Sequence, residues 1–129
     1  MKTWPILLLL LLIPSPISGE PCRPKRQPLA VATAYCLKGH TSSGPTTVRV
    51  HKDLGGCIAL SRSLAKSLGL YRSGKYLFGA VVEVEGVGRF VFADLMPKKW
   101  GHYRVDIYHP TYRECRQFGV KKRRVWVVG

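Results

Sequence analysis

The sequence predicts a mainly β domain, and the order of its segments favours a closed or nearly closed β-barrel over a sandwich. Short segments of apolar and β-branched residues recur along most of the chain. Turns rich in glycine, proline and serine separate them. Only two segments have the spacing of apolar residues that is typical of a helix. We therefore expect many short strands and two short helices.

The chain opens with a segment that is typical of a secretory signal peptide. A short basic start, Met1-Lys2, precedes an apolar run over residues 6–13. This run is shorter than the roughly 20 apolar residues that a membrane-spanning helix needs. Small residues ending at Gly19 predict cleavage there. We expect an exported protein, periplasmic or extracellular, with no transmembrane segment once residues 1–19 are removed.

Residues 20–129 are enough for one small domain with its own core. Residues 20–28 read as an extended basic lead-in and residues 29–129 as the folded domain, which we expect to be a monomer. The formal net charge of +14 favours a polyanionic partner. Export argues against nucleic acid, which leaves anionic glycans, acidic lipids or the carboxylates of peptidoglycan peptides. The histidines lack metal-ligand spacing, and we predict neither a metal nor a cofactor.

Four cysteines, an even number, indicate two disulfides in a small exported domain. Three pairings are possible for Cys22, Cys36, Cys57 and Cys115. We expect Cys36 to pair with Cys57 and Cys22 with Cys115. A zinc site is the rival interpretation, but no two cysteines have the close spacing of a zinc clip.

The first half of the domain alternates short strands with loops. Residues 29–35 predict a strand, and residues 36–46 a loop. The alternating valines of residues 47–51 predict a short strand, and residues 57–60 a buried one. Leucines four residues apart then predict a helix over residues 61–68, which Ser61 or Ser63 can cap and Gly69 can end.

The second half contains the clearest hairpin of the chain. Residues 75–89 alternate valines with glutamates and turn near residues 85–88. The return strand covers residues 89–93, and a strand over residues 104–108 follows a polar loop. Thr111 and Glu114 have the spacing of a capping box, which predicts a helix over residues 111–118. Residues 120–128 predict the last strand.

Two of the three aspartates in this basic chain lie in apolar strands at either end of one loop. Asp94 follows Phe90-Val91-Phe92, and Asp106 lies between Val105 and Ile107. A carboxylate in such surroundings costs free energy unless it is paired or used. The two acids are therefore the leading candidates for a functional site. The alternative is that Asp94 caps the following turn and that Asp106 pairs with a nearby basic residue.

Several motifs, taken together, resemble the three-aspartate domain family. They are ATAYC at residues 32–36, TSSG at residues 41–44, FADLMPKKWGHYRVDIYHPTYRECRQFG at residues 92–119 and RRVWVV at residues 123–128, and they span nearly the whole exported part. The family includes the catalytic region of membrane-bound lytic transglycosylase A. The resemblance implies a six-stranded double-psi β-barrel.

The resemblance also implies roles for particular residues. The family's last aspartate falls on Asp106 and its middle one on Asp94. Its first is expected within Ala59-Leu60-Ser61-Arg62-Ser63, where Ser61 takes its place. Asp106 fits the acid that protonates the leaving oxygen, and Asp94 the neighbour that tunes it. Side chains that can bind a glycan are Ser61, Ser43, Trp100, Tyr103, Arg104 and Tyr108, and Lys98 and Lys99 can meet peptide carboxylates.

Three functions are consistent with these features. The first is an exported peptidoglycan-active enzyme that resembles lytic transglycosylases and cleaves β-1,4 bonds between N-acetylmuramic acid and N-acetylglucosamine, leaving a 1,6-anhydro product. The second is a non-catalytic module that binds the cell wall or another anionic glycan. The third is a secreted effector or inhibitor that acts through its basic face.

Overall fold

The computed structural model describes residues 27–129, which form a six-stranded closed barrel, a separate two-stranded hairpin and three short helices. The predicted signal peptide, most of the predicted lead-in and Cys22 lie outside the described residues. In chain order the elements are β1 (Leu29–Tyr35), α1 (Thr47–Leu54), β2 (Cys57–Leu60), α2 (Arg62–Ser67), β3 (Tyr71–Arg72), β4 (Lys75–Tyr76), β5 (Val81–Val84), β6 (Gly88–Leu95), β7 (Arg104–Tyr108), α3 (Tyr112–Phe118) and β8 (Lys121–Val128).

The barrel closes in the order β1-β7-β2-β6-β5-β8. Two neighbouring pairs, β1 with β7 and β2 with β6, are parallel, and the other four pairs are antiparallel. The prediction of a mainly β domain with a closed barrel is confirmed.

The pairing pattern is symmetric although the sequence shows no repeat. Exchanging β1, β2 and β5 for β6, β7 and β8, in that order, maps each strand pair onto a pair of the same direction, and β2–β7 and β5–β8 map onto themselves. A helix follows the second strand of each half, α2 after β2 and α3 after β7. The two halves are therefore topological counterparts, and β2 and β7 meet where they join.

Alternate residues of the strands fill the barrel. Ile58 and Leu60 of β2, Phe92 of β6, and Val105 and Ile107 of β7 are all fully buried in one apolar cluster. Because side chains alternate between the two faces of a strand, the residues between them face outward. The outward faces of β2 and β7 are therefore available for a site wherever no helix covers them.

A helix occupies the segment for which alternating valines predict a strand, so that prediction is wrong. The hydroxyl of Thr46 accepts a hydrogen bond from the backbone of Arg49 at 3.2 Å, which caps the first turn. Gly55, with φ of 86°, ends α1 in the left-handed region. Only Val50 of the two valines is buried, because the helix turns Val48 to solvent. Local capping outweighs the two-residue alternation.

Helix α1 covers one part of the outer face of the barrel. Val50 packs there with Cys57, Ala93 and Tyr108 in a second buried cluster. Tyr35 flanks this cluster and contacts the ring of Tyr108 edge to face, with centroids 5.7 Å apart. Helix α1 does not cover the neighbouring outer surface of β2, β6 and β7.

The two predicted helices are present. Helix α3 has the predicted capping box, in which the Thr111 hydroxyl accepts from the Glu114 backbone at 3.2 Å. Ser61 stands at the N-cap position of α2, but its side chain makes no capping hydrogen bond there. The predicted hairpin is also present as β5 and β6. The small hairpin of β3 and β4 was not predicted; it turns through Ser73 and Gly74, both at positive φ.

The predicted bond between Cys36 and Cys57 is not formed, and Cys36, Cys57 and Cys115 are free thiols. Cys57 is fully buried beneath α1, and its sulfur lies 3.7 Å from the Tyr35 hydroxyl. Cys57 therefore points outward from β2 into the apolar layer beneath α1, and not toward Cys36. Within residues 27–129, no helix combines the length and the apolar character needed to cross a bilayer.

Candidate functional site

The barrel brings the two predicted acids to either side of one alanine. Ala59 of β2 registers with Asp94 of β6 on one side and with Asp106 of β7 on the other. Two strand spacings separate the acids, about 10 Å between their Cα atoms. Thr33 of β1 continues the row beyond Asp106. Four side chains from four adjacent strands therefore lie in one line on the outer face.

A bulge in β6 gives Asp94 its direction. Ile58 pairs with Phe92, but the next residue, Ala59, pairs with Asp94, so Ala93 is an extra residue. In a regular strand Asp94 would share the inward face of Phe92. The bulge instead turns Asp94 outward beside Ala59, while Ala93 packs beneath α1. Leu95 then packs against the core again.

The acids open into a groove of about 630 Å³, which lies within the range of small-ligand sites. We call it the acid groove. The loops that follow β1 and β6, topological counterparts of each other, form its two sides. Its lining consists of Tyr35, Leu37, Lys38, Gly39, His40, Thr47, Ala59, Asp94, Leu95, Met96, Pro97, Lys99, Trp100, Arg104 and Asp106.

Both acids are partly buried, and Asp106 is the one whose pKa is raised by its burial. Burial raises the pKa of Asp106 above its ordinary 3.8, and the negative charge of Asp94 raises it further. A hydrogen bond of 3.0 Å from the Thr33 hydroxyl and the positive charge of Arg104 lower this pKa, but they do not cancel the effect of burial. Asp106 thus has the environment that general acids require.

Asp94 is held by three donors on a single carboxyl oxygen. Its Oδ1 accepts from the Ser42 hydroxyl at 2.7 Å, from the Ser42 backbone at 2.9 Å and from the Leu95 backbone at 2.9 Å. Hydrogen bonds to a carboxylate are stronger than those between neutral groups. These contacts fix the side chain in place and join the loop after β1 to the end of β6.

Basic and aromatic side chains line the groove together with the acids. The Arg104 guanidinium lies over the Trp100 ring, 4.2 Å from its centroid, and Lys99 approaches the same ring at 5.5 Å. Lys38 and His40 line the opposite side. The groove therefore offers cations and an aromatic face to a ligand that also meets the two acids.

Four of the predicted site residues, Asp94, Asp106, Trp100 and Arg104, line the acid groove together. Ser43 lies next to it, where its hydroxyl bonds the Thr41 hydroxyl at 2.7 Å and borders a different depression near Val50. Lys99 lines the groove as well, whereas Lys98 is not among the lining residues.

The structure places the other three predicted binding residues outside the groove. Ser61 is fully buried, and its hydroxyl accepts from the Arg104 backbone at 3.0 Å. Tyr103 lies near Leu29 in a separate shallow depression. Tyr108 is buried beneath α1, between Tyr35 and the ring of His51. Ser61 therefore fixes the backbone of Arg104 through this hydrogen bond and does not face the groove.

Sequence reasoning missed two residues that the fold adds to the site. Ser42 binds Asp94 across 52 positions of sequence, and no local signal distinguishes it from Ser43. Tyr35 lines the groove two residues after Thr33, and strand alternation places both on the face of Asp106. Burial raises the pKa of Tyr35, with Cys57 and both acids raising it further. Its hydroxyl therefore keeps its proton and can donate it in a hydrogen bond.

The described part of the chain contains no group of three or more His, Cys, Asp or Glu side chains with the geometry of a metal site. A scan against protein-family models finds no match for this sequence, and a search of curated proteins finds no relative. The interpretation of the site therefore rests on its geometry and on the sequence motifs that surround the two acids.

Proposed function

We propose that this protein is an exported peptidoglycan-active enzyme that resembles lytic transglycosylases. The observation that carries the proposal is the placement of Asp94 and Asp106 on either side of Ala59 in one open groove, where burial raises the pKa of Asp106. Both acids thus face the same space with different surroundings, a pattern that marks acid and base assignments.

In the proposed reaction Asp106 supplies a proton to the glycosidic oxygen, and the bond from that oxygen to C1 of N-acetylmuramic acid breaks. The C6 hydroxyl of the same sugar attacks C1 and closes the 1,6-anhydro ring, returning its proton to Asp106. One carboxyl group therefore serves as acid and then as base, and no water is consumed. Asp94, held by Ser42, stabilises the positive charge that develops on the sugar ring.

The rest of the groove suits the same substrate. Trp100 offers a face on which a sugar ring can stack, and Lys38, Lys99 and Arg104 can meet carboxylates on the glycan or its peptides. Tyr35 can donate a hydrogen bond to a sugar oxygen near Asp106. Access to the cell wall is part of the proposal and rests on the signal peptide predicted from residues 1–19.

We further propose that the barrel is a double-psi barrel of the three-aspartate family. The exchange symmetry of its two halves and the two parallel pairs among six strands support this proposal. In this interpretation the acid groove lies where the two halves meet. The motifs at residues 32–36, 41–44, 92–119 and 123–128 supply the family resemblance.

The alternative proposal is a non-catalytic glycan-binding module, and the row of outward side chains favours it in one respect. The family's first aspartate is expected within residues 59–63, but the groove position in that stretch is Ala59, whose side chain is a methyl group. Ser61 is fully buried and cannot replace a carboxylate in the groove. A groove with two acids can retain binding after losing catalysis.

Digestion of purified peptidoglycan sacculi separates the two proposals. We expect the wild type to release 1,6-anhydromuropeptides and Asp106→Asn to release them about 10²–10⁴-fold more slowly, while both remain folded and bind sacculi. Asp53→Asn is the matched control, because Asp53 is an exposed aspartate paired with Arg49 at 3.4 Å and lies outside the groove. Binding without release, unchanged in Asp106→Asn, would reject the enzyme and favour the module. If sacculi neither bind nor turn over, both proposals fail.

A further inference from the structure

Two cysteines meet where helix α3 packs against the end of strand β1. Cys36 directly follows the last residue of β1, and Cys115 lies in the middle of α3. Helix α3 packs against β1, and the Cys36 side chain lies close enough to Cys115 to raise the pKa of the Cys115 thiol. The His109 N–H donates a hydrogen bond to the Tyr35 carbonyl oxygen, with 2.8 Å between nitrogen and oxygen. Tyr35 directly precedes Cys36 in the chain. The packing and the backbone hydrogen bond place Cys36 and Cys115 near each other where β1 meets α3.

The third described cysteine differs from these two. Cys57 is fully buried in the layer beneath α1, where its sulfur contacts the Tyr35 hydroxyl. Cys36 and Cys115 are both partly exposed, so a small oxidant can reach them. Of the three described cysteines, Cys36 and Cys115 are therefore the two that are both accessible and near each other.

The pair lies between helix α3, which has no buried residue, and one side of the acid groove. Helix α3 has only seven residues and none of them is buried. A helix of this length depends on its tertiary contacts. On the other side of the pair, the chain runs directly from Cys36 into residues 37–40, which line the groove. A covalent bond would fasten this side of the groove to α3 at its base.

We propose that Cys36 and Cys115 form a reversible disulfide that anchors residues 37–40 of the acid groove. The oxidant is a disulfide of the glutathione class. One cysteine thiolate attacks a sulfur of glutathione disulfide and releases one glutathione thiolate. The second cysteine then attacks the mixed disulfide and releases the other. The two cysteines lose two electrons and two protons, and glutathione disulfide becomes two molecules of glutathione. The pairing does not depend on the proposed enzymatic function.

Peptide mapping of the full chain tests the pairing. The reduced protein is equilibrated with glutathione disulfide in excess, free thiols are alkylated, and the sample is digested with trypsin. Cleavage at the basic residues places Cys36 in peptide 27–38 and Cys115 in peptide 114–116. We expect these two peptides to be joined and to separate on reduction, with Cys57 alkylated only after unfolding. A bond from Cys22 or Cys57 to either cysteine, or alkylation of both Cys36 and Cys115, would overturn the proposal.

Hydrogen exchange measured by mass spectrometry tests the anchoring. We expect oxidation to slow exchange of the amides in residues 37–40 by about tenfold in the wild type and in Cys57→Ala. Cys36→Ser and Cys115→Ser should show no response to oxidation. Equal exchange in the oxidised and reduced wild type would overturn the anchoring. The wild-type comparison needs no substitution, so a variant that fails to fold does not decide the outcome.

Discussion

Asp94 and Asp106 occupy neighbouring places in the same groove, but the barrel holds them in different ways. Asp106 lies on a regular strand, half-buried, with a single hydrogen bond from the Thr33 hydroxyl. Asp94 lies after a bulge, and three donors converge on its Oδ1. The two acids register with the same alanine, but burial raises the pKa of Asp106, whereas three hydrogen bonds hold Asp94 in place.

This contrast assigns different tasks to two residues of one type. Desolvation favours the protonated form of Asp106, which can therefore give a proton to a leaving group. The donors around Asp94 hold its carboxyl group in one position, where it can stabilise a developing cation. The environment of each carboxyl group, and not its residue type, separates the roles.

The largest expected effect distinguishes the two acids in the sacculus assay. Loss of a general acid typically costs about 10²–10⁴-fold in rate, and we expect Asp106→Asn to fall in this range. Asp94→Asn keeps an oxygen for the Ser42 donors, so we expect a loss of roughly tenfold. The measurement is the initial rate of 1,6-anhydromuropeptide release. Equal losses in the two variants, or a larger loss in Asp94→Asn, would contradict the division of roles.

The next effect concerns the support of Asp94. Ser42→Ala removes the 2.7 Å hydrogen bond to Asp94 Oδ1 but leaves the backbone contact. We expect it to lower the free energy of unfolding by about 1 kcal/mol and to weaken glycan binding. Ser43→Ala is the control, because the Ser43 hydroxyl bonds Thr41 and not Asp94. Chemical denaturation and sacculus binding measure the two effects. Weaker glycan binding in Ser43→Ala than in Ser42→Ala would contradict the role of Ser42.

The pH dependence of stability tests the burial of Asp106. Because the folded state raises the pKa of Asp106 above 3.8, it holds the proton more tightly than the unfolded state. The resulting stabilisation is present below pH 3.8 and is lost as the pH rises through the folded-state pKa. Asp106→Asn carries no ionisable carboxyl group at this position, so its stability does not fall in this way as the pH rises. Its Tm should therefore exceed the wild-type Tm by a few degrees at neutral pH and equal the wild-type Tm in acid.

Thermal unfolding between acidic and neutral pH measures this difference. Asp53→Asn serves as the control, since Asp53 lies on the exposed side of α1 and its removal should give no gain that grows with pH. A wild type that is more stable than Asp106→Asn at neutral pH would show that the Asp106 carboxylate stabilises the fold, which contradicts a dominant cost of burying its charge.

The smallest expected effect concerns Tyr35. Tyr35→Phe removes a hydroxyl that lines the groove and contacts the Cys57 sulfur, and we expect a stability change below about 1 kcal/mol. Glycan affinity should fall a few-fold, because a donor near Asp106 is lost. Tyr108→Phe, which changes a tyrosine outside the groove, should leave affinity unchanged. A greater loss of affinity in Tyr108→Phe would remove Tyr35 from the site.

The sequence predicted the strands that carry the acids but not the feature that turns Asp94 outward. Apolar and β-branched residues marked 104–108 and 57–60 at the observed bounds, since β7 buries Val105 and Ile107 and β2 buries all four of its residues. The bulge at Ala93 depends on the register between β2 and β6, which no local pattern encodes. The same limit applies to Ser42, whose contact with Asp94 spans 52 positions.

Helix α1 illustrates a different limit. Its two valines have the spacing of a strand, but Thr46 and Gly55 provide the caps of a helix. Both caps can be read from the sequence, and they compete there with the alternation of the valines. A prediction that follows the alternation misses this helix, together with the layer that buries Cys57 beside the groove.

The division between the two acids is tested most directly by an NMR titration of the aspartate carboxyl carbons in the wild type and in Asp94→Asn. Asp106 should titrate above its ordinary 3.8, and its midpoint should fall in Asp94→Asn, because the negative charge that raises it is lost. A wild-type midpoint for Asp106 at or below 3.8, or one that is unchanged or rises in Asp94→Asn, would contradict the division of roles.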